Sequence, residues 1–189
     1  MRSEPRSALR RALAVLAVVA AAAAQEPERV TPAEAMALCC PDCAVTARPL
    51  TLDDARRRAV AERSGEAPPP AVVHRWEARR DGALVAIGYL DAHVVRSKRQ
   101  VLLVVVDLAT QTEPAARVRR IEVLAFAEPR RFRPAAPFYD QFRGRALDDD
   151  LREGRGIRRV AGATMTARAT TAAVRRVLAV HAIAQDPCR

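Results

Sequence analysis

Apolar and polar positions along the chain change period three times, and each change marks an element. Gln100 to Leu108 holds the unbroken run Val101, Leu102, Leu103, Val104, Val105 and Val106, the pattern of a strand covered on both faces. Val72 to Arg79 and Ala83 to Leu90 are β-rich stretches on either side of Asp81-Gly82, a pair that favours a tight hairpin turn. Val118 to Phe126 repeats the β signature through Val118, Ile121, Val123 and Leu124. Four strands in immediate succession predict an antiparallel meander.

Helical periodicity appears on both sides of that block. Thr31-Pro32-Ala33-Glu34 combines an N-cap, a first-turn proline and a glutamate three residues after the cap, so a helix is expected to run from there to about Leu38. Another begins near Thr51-Leu52-Asp53-Asp54, carries Leu52, Ala55, Ala59 and Val60 at near-helical spacing, and stops at Gly65. Glu66 to Pro70 reads as a linker turn. Phe138 to Arg143, closed by Gly144, is a short helix. The last helix is predicted over about Thr166 to Ala184, with Val174, Val177, Leu178 and His181 inward and Arg175 and Arg176 outward. The fold class that results is α+β, a single antiparallel sheet flanked by N- and C-terminal helices.

Composition sets the scale. The 189 residues have 32 basic and 22 acidic side chains, a net charge of +10, with half the chain hydrophobic and only 4% aromatic. That suffices for one core and not for two. Lys98 is the sole lysine, and the arginines are spread evenly with no aromatic stripe among them, so no nucleic-acid partner is expected. Arg2, Arg6, Arg10 and Arg11 precede 13 apolar residues, Ala12 to Ala24, which end in Ala22-x-Ala24. This is the layout of a secretory signal peptide over 1–24. Thirteen helical residues reach only about 20 Å, too short for a membrane span. The organisation read from the chain is a signal peptide (1–24), a helical segment with a cysteine cluster (25–70) and the main domain (71–189). Export to the periplasm, with no transmembrane anchor after signal removal, follows.

Cys39, Cys40, Cys43 and Cys188 form an even set in a chain read as exported, so disulfides among them are the first expectation. Strain disfavours a direct Cys39–Cys40 bond, which favours Cys40–Cys43 with Cys39–Cys188, or the crossed alternative. Cys40-Pro41-Asp42-Cys43 also has the spacing of a thiol-redox motif, though no helix opens at Cys40. His74, His93 and His181 stand singly in a strand, a loop and a helix, without metal-ligand spacing, and read as packing or surface residues.

The stretch with most chemical content is Val160-Ala161-Gly162-Ala163-Thr164-Met165-Thr166, immediately before the long helix. Small residues there allow close backbone approach, and the unpaired N–H groups of the helix start favour a phosphate. Thr164 adds a hydroxyl that can be esterified. A plain helix-capping turn satisfies the same pattern.

Three blocks tip the reading. Gly162-Ala163-Thr164-Met165-Thr166-Ala167-Arg168, the upstream Ile121 to Arg130 stretch ending in Glu128-Pro129-Arg130, and Phe138-Tyr139-Asp140-Gln141-Phe142-Arg143-Gly144 resemble, in order and spacing, the FMN-binding domain family. That family includes the flavin-carrying periplasmic subunits of the Rnf and sodium-translocating NADH:quinone reductase complexes. The resemblance covers about residues 72–183. It implies FMN joined through its phosphate to Thr164, with Gly162 and Ala163 shaping the loop and Met165 and Thr166 lining the phosphate or ring. It also implies two partners: a flavin transferase that uses FAD as donor, and a membrane or periplasmic redox protein. The chain departs from the family pattern at Arg158, where an acidic residue is usual, and at Ala161, where Ser or Thr is usual. The function so implied is that of an electron carrier more than a substrate-converting enzyme. The alternatives are a cofactor-free interaction module on the same fold and a thiol-redox protein using Cys40 and Cys43. Trp76, Tyr89, Phe138, Tyr139 and Phe142 are available either for stacking on a flavin or for filling a core.

Overall fold

The structure is a computed structural model that describes residues 30–185. The stretch read as a signal peptide (1–24) and Cys188 therefore lie outside the described residues. Helix α1 (Pro32–Cys39) opens with the expected capping box: the Thr31 hydroxyl accepts from the Glu34 N–H and the Glu34 carboxylate accepts from the Thr31 N–H. Strands β1 (Ala44–Ala47) and β2 (Leu50–Thr51) follow, then α2 (Asp54–Ser64), which is capped by Asp53 and ended by Gly65 at φ +69°. Next come β3 (Val72–Val73), β4 (Arg75–Arg80), β5 (Ala83–Val95), β6 (Lys98–Asp107) and β7 (Arg117–Phe126). A 3-10 turn (Arg130–Phe132), α3 (Ala136–Asp140) and α4 (Thr164–Gln185) complete the described residues.

The predicted meander is present. The main sheet has the order β1-β4-β5-β6-β7 with every pairing antiparallel, and β2 and β3 form a separate two-stranded ribbon. Asp81 and Gly82 both adopt positive φ (50° and 79°), as a two-residue turn of right-handed strands requires. Strand β6 is buried on both faces: Leu102, Val104 and Val106 point to the side covered by α4, and Leu103 and Val105 to the side covered by α1. Met36 and Cys40 plug the α1 side against Ala78 and Ala86. Gly88 is what admits Met36, because a Cβ there would collide with the Met36 sulfur.

Three local findings differ from the sequence reading. Strand β5 continues past Leu90 to Val95, because Asp91 and His93 satisfy each other inside the fold: His93 Nδ1 lies 2.8 Å from Asp91 Oδ1. Helix α4 starts at Thr164 rather than Thr166. Arg175 and Arg176 do not point to solvent. Arg175 is only 4% exposed, because α2 and the segment after it cover a second side of α4.

Glu128 explains the Glu-Pro block structurally. Its Oε1 accepts from the N–H groups of Ser97 and Lys98 at 2.9 Å each, tying the chain after β7 to the β5–β6 turn. Those two N–H groups, with neighbouring Arg96 and Lys98, hold its carboxyl below the usual carboxylate range.

On the α4 side of the sheet, Tyr89 Oη and His181 Nδ1 meet at 3.0 Å, both buried. Burial, reinforced by the charge of Arg75, pushes the His181 pKa down to about 4. The folded state therefore holds His181 neutral where the unfolded chain, with a value near 6.5, takes up a proton. Stability from this group is complete above pH ~6.5 and is lost as pH falls from ~6.5 toward ~4. A loss of about 3 kcal/mol across that window is expected, since each tenfold difference in proton affinity between the two states is worth about 1.4 kcal/mol. Denaturant melts of wild type and His181→Gln at pH 7 and pH 4.5 check it, the variant showing the flatter profile.

Candidate functional site

Helix α4 enters from a tight turn. Gly162 has φ +77°, and nothing lies within 4 Å of where its Cβ would be, so its glycine serves backbone conformation and not packing. Ala163 is buried and accepts the Ala167 N–H at 2.9 Å, which sets the first helical turn. Thr164 follows on the exposed side, its hydroxyl donating to the Val160 carbonyl at 3.2 Å. That bond is long and solvent-facing, so the oxygen retains its lone pairs for other chemistry.

Thr164, Arg168 and Arg175 lie at i, i+4 and i+11, one stripe of α4, and this stripe walls an open pocket of about 560 Å³. Opposite stand Arg152, Glu153 and Arg159 from the loop before α4, with Glu66 from the segment after α2 closing a third side. The loop holds its shape through Leu151 and Ile157, both fully buried, and through backbone bonds from Gly156 N to Asp150 O at 2.8 Å and Ile157 N to Arg152 O at 3.1 Å. Four arginines face two glutamates around the pocket, so the site is electropositive beside the Thr164 hydroxyl.

No protein-family model, curated protein or solved structure matches the chain.

The other residues singled out from sequence divide sharply. Met165 is 54% exposed and lies outside the pocket wall. Thr166 is buried, with its hydroxyl donating to Phe132 O at 2.7 Å, so it fastens the helix start to the 3-10 turn and faces away from Thr164. Gln141, from the Phe138–Gly144 block, reaches the loop before α4: its Oε1 accepts the Arg158 N–H at 2.8 Å, pinning that loop to the end of α3. Tyr89 and Phe142 are fully buried, and none of the five aromatics considered from sequence lines the pocket. His93 belongs to a strand, not a loop, in a buried chain where Arg176 donates twice to Asp91 at 2.9 Å. A further cavity of about 590 Å³ lies across α4 under Pro68–Pro70, but the Asp91–Arg176 pair in its wall is satisfied internally.

Cys39, Cys40 and Cys43 are free thiols in the structure, in place of a Cys40–Cys43 bridge, and any pairing with Cys188 falls outside the described residues. Cys40 is buried and accepts from Arg119 Nη1 at 2.7 Å. Burial pushes its thiol up despite that arginine, and pushes Cys39 up to about 11. Neither thiol has the lowered pKa that marks an activated redox cysteine. Asp42 sits at φ 63° in the turn between them and Cys43, so no helix opens on the first cysteine. Among the described residues there is no helix long and apolar enough to cross a membrane and no His/Cys/Asp/Glu cluster that could hold a metal ion.

Sequence reasoning located Thr164 and its loop but missed Arg152, Glu153, Arg159 and Arg175 as pocket residues. The i, i+4 spacing of Thr164 and Arg168 is a readable signal. The loop arginines carry none, since only the fold brings them to α4.

Proposed function

We propose that this chain is an exported electron-transfer protein that carries FMN through a phosphoester to Thr164. The observation that carries the reading is the exposed Thr164 hydroxyl on the first turn of α4, in the wall of an arginine-rich pocket. The phosphate end of the group fits this site: an esterifiable oxygen, helix-start N–H groups without intrahelical acceptors, and guanidinium charge stand side by side. With FAD as donor, the Thr164 oxygen gives up its proton and bonds to the flavin-side phosphorus, while the diphosphate linkage breaks and AMP departs. A flavin transferase supplies that step. Once attached, the flavin supplies electron transfer, and the protein's share is to hold it at one place on the surface. The electron partner is a membrane or periplasmic redox protein.

Arg158 and Ala161 favour the second reading, a cofactor-free interaction module, because both depart from the pattern on which the resemblance rests. Exporting the chain from a host with a flavin transferase and viewing the denatured protein on a gel separates the two. Flavin fluorescence that migrates with wild type and vanishes in Thr164→Ala supports the carrier. The pair Arg158→Asp with Ala161→Ser is expected to raise the loaded fraction, and a dark band in wild type and in that pair alike leaves the interaction module.

A further inference from the structure

Arg175 is an unusual tenant of the pocket floor. Its residue is 4% exposed, and its Nε donates to Ser64 O at 2.8 Å while Nη1 donates to Asp148 O at 2.7 Å and Leu151 O at 3.3 Å. Those partners are neutral carbonyls. They lock the guanidinium plane, and its charge is met at longer range by Glu66, 3.8 Å away, and by Asp148 and Asp149, with no carboxylate among the described residues in direct hydrogen-bond contact. A buried charge in that condition calls for a counter-ion. Burial and the repulsion of Arg152 act to lower the Arg175 pKa and outweigh the opposing pull of Glu66, Asp149 and Asp148, so an anion beside the two guanidiniums stabilises both charges.

The remaining pocket arginines are similarly unspent. Neither Arg152 nor Arg159 makes a salt bridge to a carboxylate among the described residues, and Arg168 reaches Glu153 only at 3.8 Å. Arg152 and Arg159 are exposed, and each guanidinium lies close over a glycine. A Cβ on Gly65 would lie 3.2 Å from Arg152 Nη2, and one on Gly154 would lie 3.2 Å from Arg159 Nη2. Both glycines also hold positive φ, +69° and +79°, so any side chain there is strained and would press on the guanidinium it supports. Planar guanidinium forks lining one open pocket suit the oxygens of a tetrahedral anion.

From this geometry we infer that the pocket is a phosphate site, in which Arg175, Arg152, Arg159 and Arg168 grip the phosphate and leave whatever is esterified to it unread. The inference shares its pocket with the flavin reading but does not depend on the flavin. No aromatic or large apolar side chain lines the walls, so a ring attached to the phosphate is not enclosed there. Inorganic phosphate and phosphate monoesters are the ligand class.

The test is isothermal titration of the exported full chain carrying Thr164→Ala, which prevents covalent loading, with inorganic phosphate, FMN and riboflavin in turn. Phosphate is expected to bind, and riboflavin, which has the ring without the phosphate, is not. Arg159→Gln with Arg168→Gln, both on exposed positions, is expected to weaken phosphate by about tenfold or more, from the loss of two charge-assisted contacts. Arg175→Lys should weaken it further, and an unchanged melting temperature in the surface pair shows that folding is not the cause. Riboflavin binding as tightly as FMN, or phosphate binding that ignores the arginine variants, overturns the inference. Phosphate that binds while FMN does not overturns the claim that the esterified group goes unread, whereas phosphate and FMN both binding Thr164→Ala while exported wild type stays unmodified leaves the phosphate site standing and counts against the flavin reading alone.

Discussion

Replacing Asp91 with Ala is expected to destabilise the protein by about 3–5 kcal/mol, the cost of leaving one member of a buried ion pair alone. Asp91 is 8% exposed, receives two bonds from Arg176 at 2.9 Å, and meets His93 at 2.8 Å, while His93 reaches Gln100 at 3.0 Å. Truncation strands Arg176 and removes the group that lets a polar stretch of β5 stay in the sheet. Burial alone would raise the Asp91 carboxyl, but the hydrogen bond from His93 and the charge of Arg176 outweigh it and hold the value below the usual 3.8. Because the folded value is the lower one, this stabilisation is complete above pH ~3.8 and is lost as pH falls through the folded value. With falling pH, stability is thus lost first through His181 and then through Asp91. Urea midpoints for Asp91→Ala at pH 7 read the loss, and Asp91→Leu with Arg176→Met is expected to recover much of it, since removing both charges leaves neither stranded.

Phe142→Ala should cost a comparable 3–5 kcal/mol, roughly, through cavity formation. The ring is fully buried and meets Phe138 edge-on, with centroids 5.4 Å apart. Its segment is stitched to β7 by Gly144 N to Val118 O at 2.7 Å and Val118 N to Arg145 O at 2.9 Å. Loss of the ring also loosens neighbouring Gln141, the side chain that pins the loop before Thr164. Chemical denaturation measures the first effect. Phe142→Leu, which refills most of the volume, should cost less than half as much.

Much of the architecture was legible because it rests on short-range pattern. The unbroken Val101–Val106 run and the Asp81-Gly82 turn fix the meander, and Thr31-Pro32 with Glu34 fixes the first helix start. What escaped depends on partners distant in sequence. Asp91 and His93 look like loop residues until Arg176, 85 positions away from Asp91, neutralises the carboxylate. Arg175 reads as a surface residue on any helical wheel; only Ser64, 111 positions upstream, shows that this face is also covered. Strand β1 is four residues with a single half-buried side chain, too short to register as a pattern. Thr164 was legible as a candidate oxygen from its loop, and its charged surroundings were not.

The most direct measurement is the intact mass of the mature chain after export alongside a flavin transferase. The account predicts a gain equal to FMN less one water, present in wild type and absent in Thr164→Ala. A wild-type mass matching the bare polypeptide, or an adduct that survives Thr164→Ala, contradicts it.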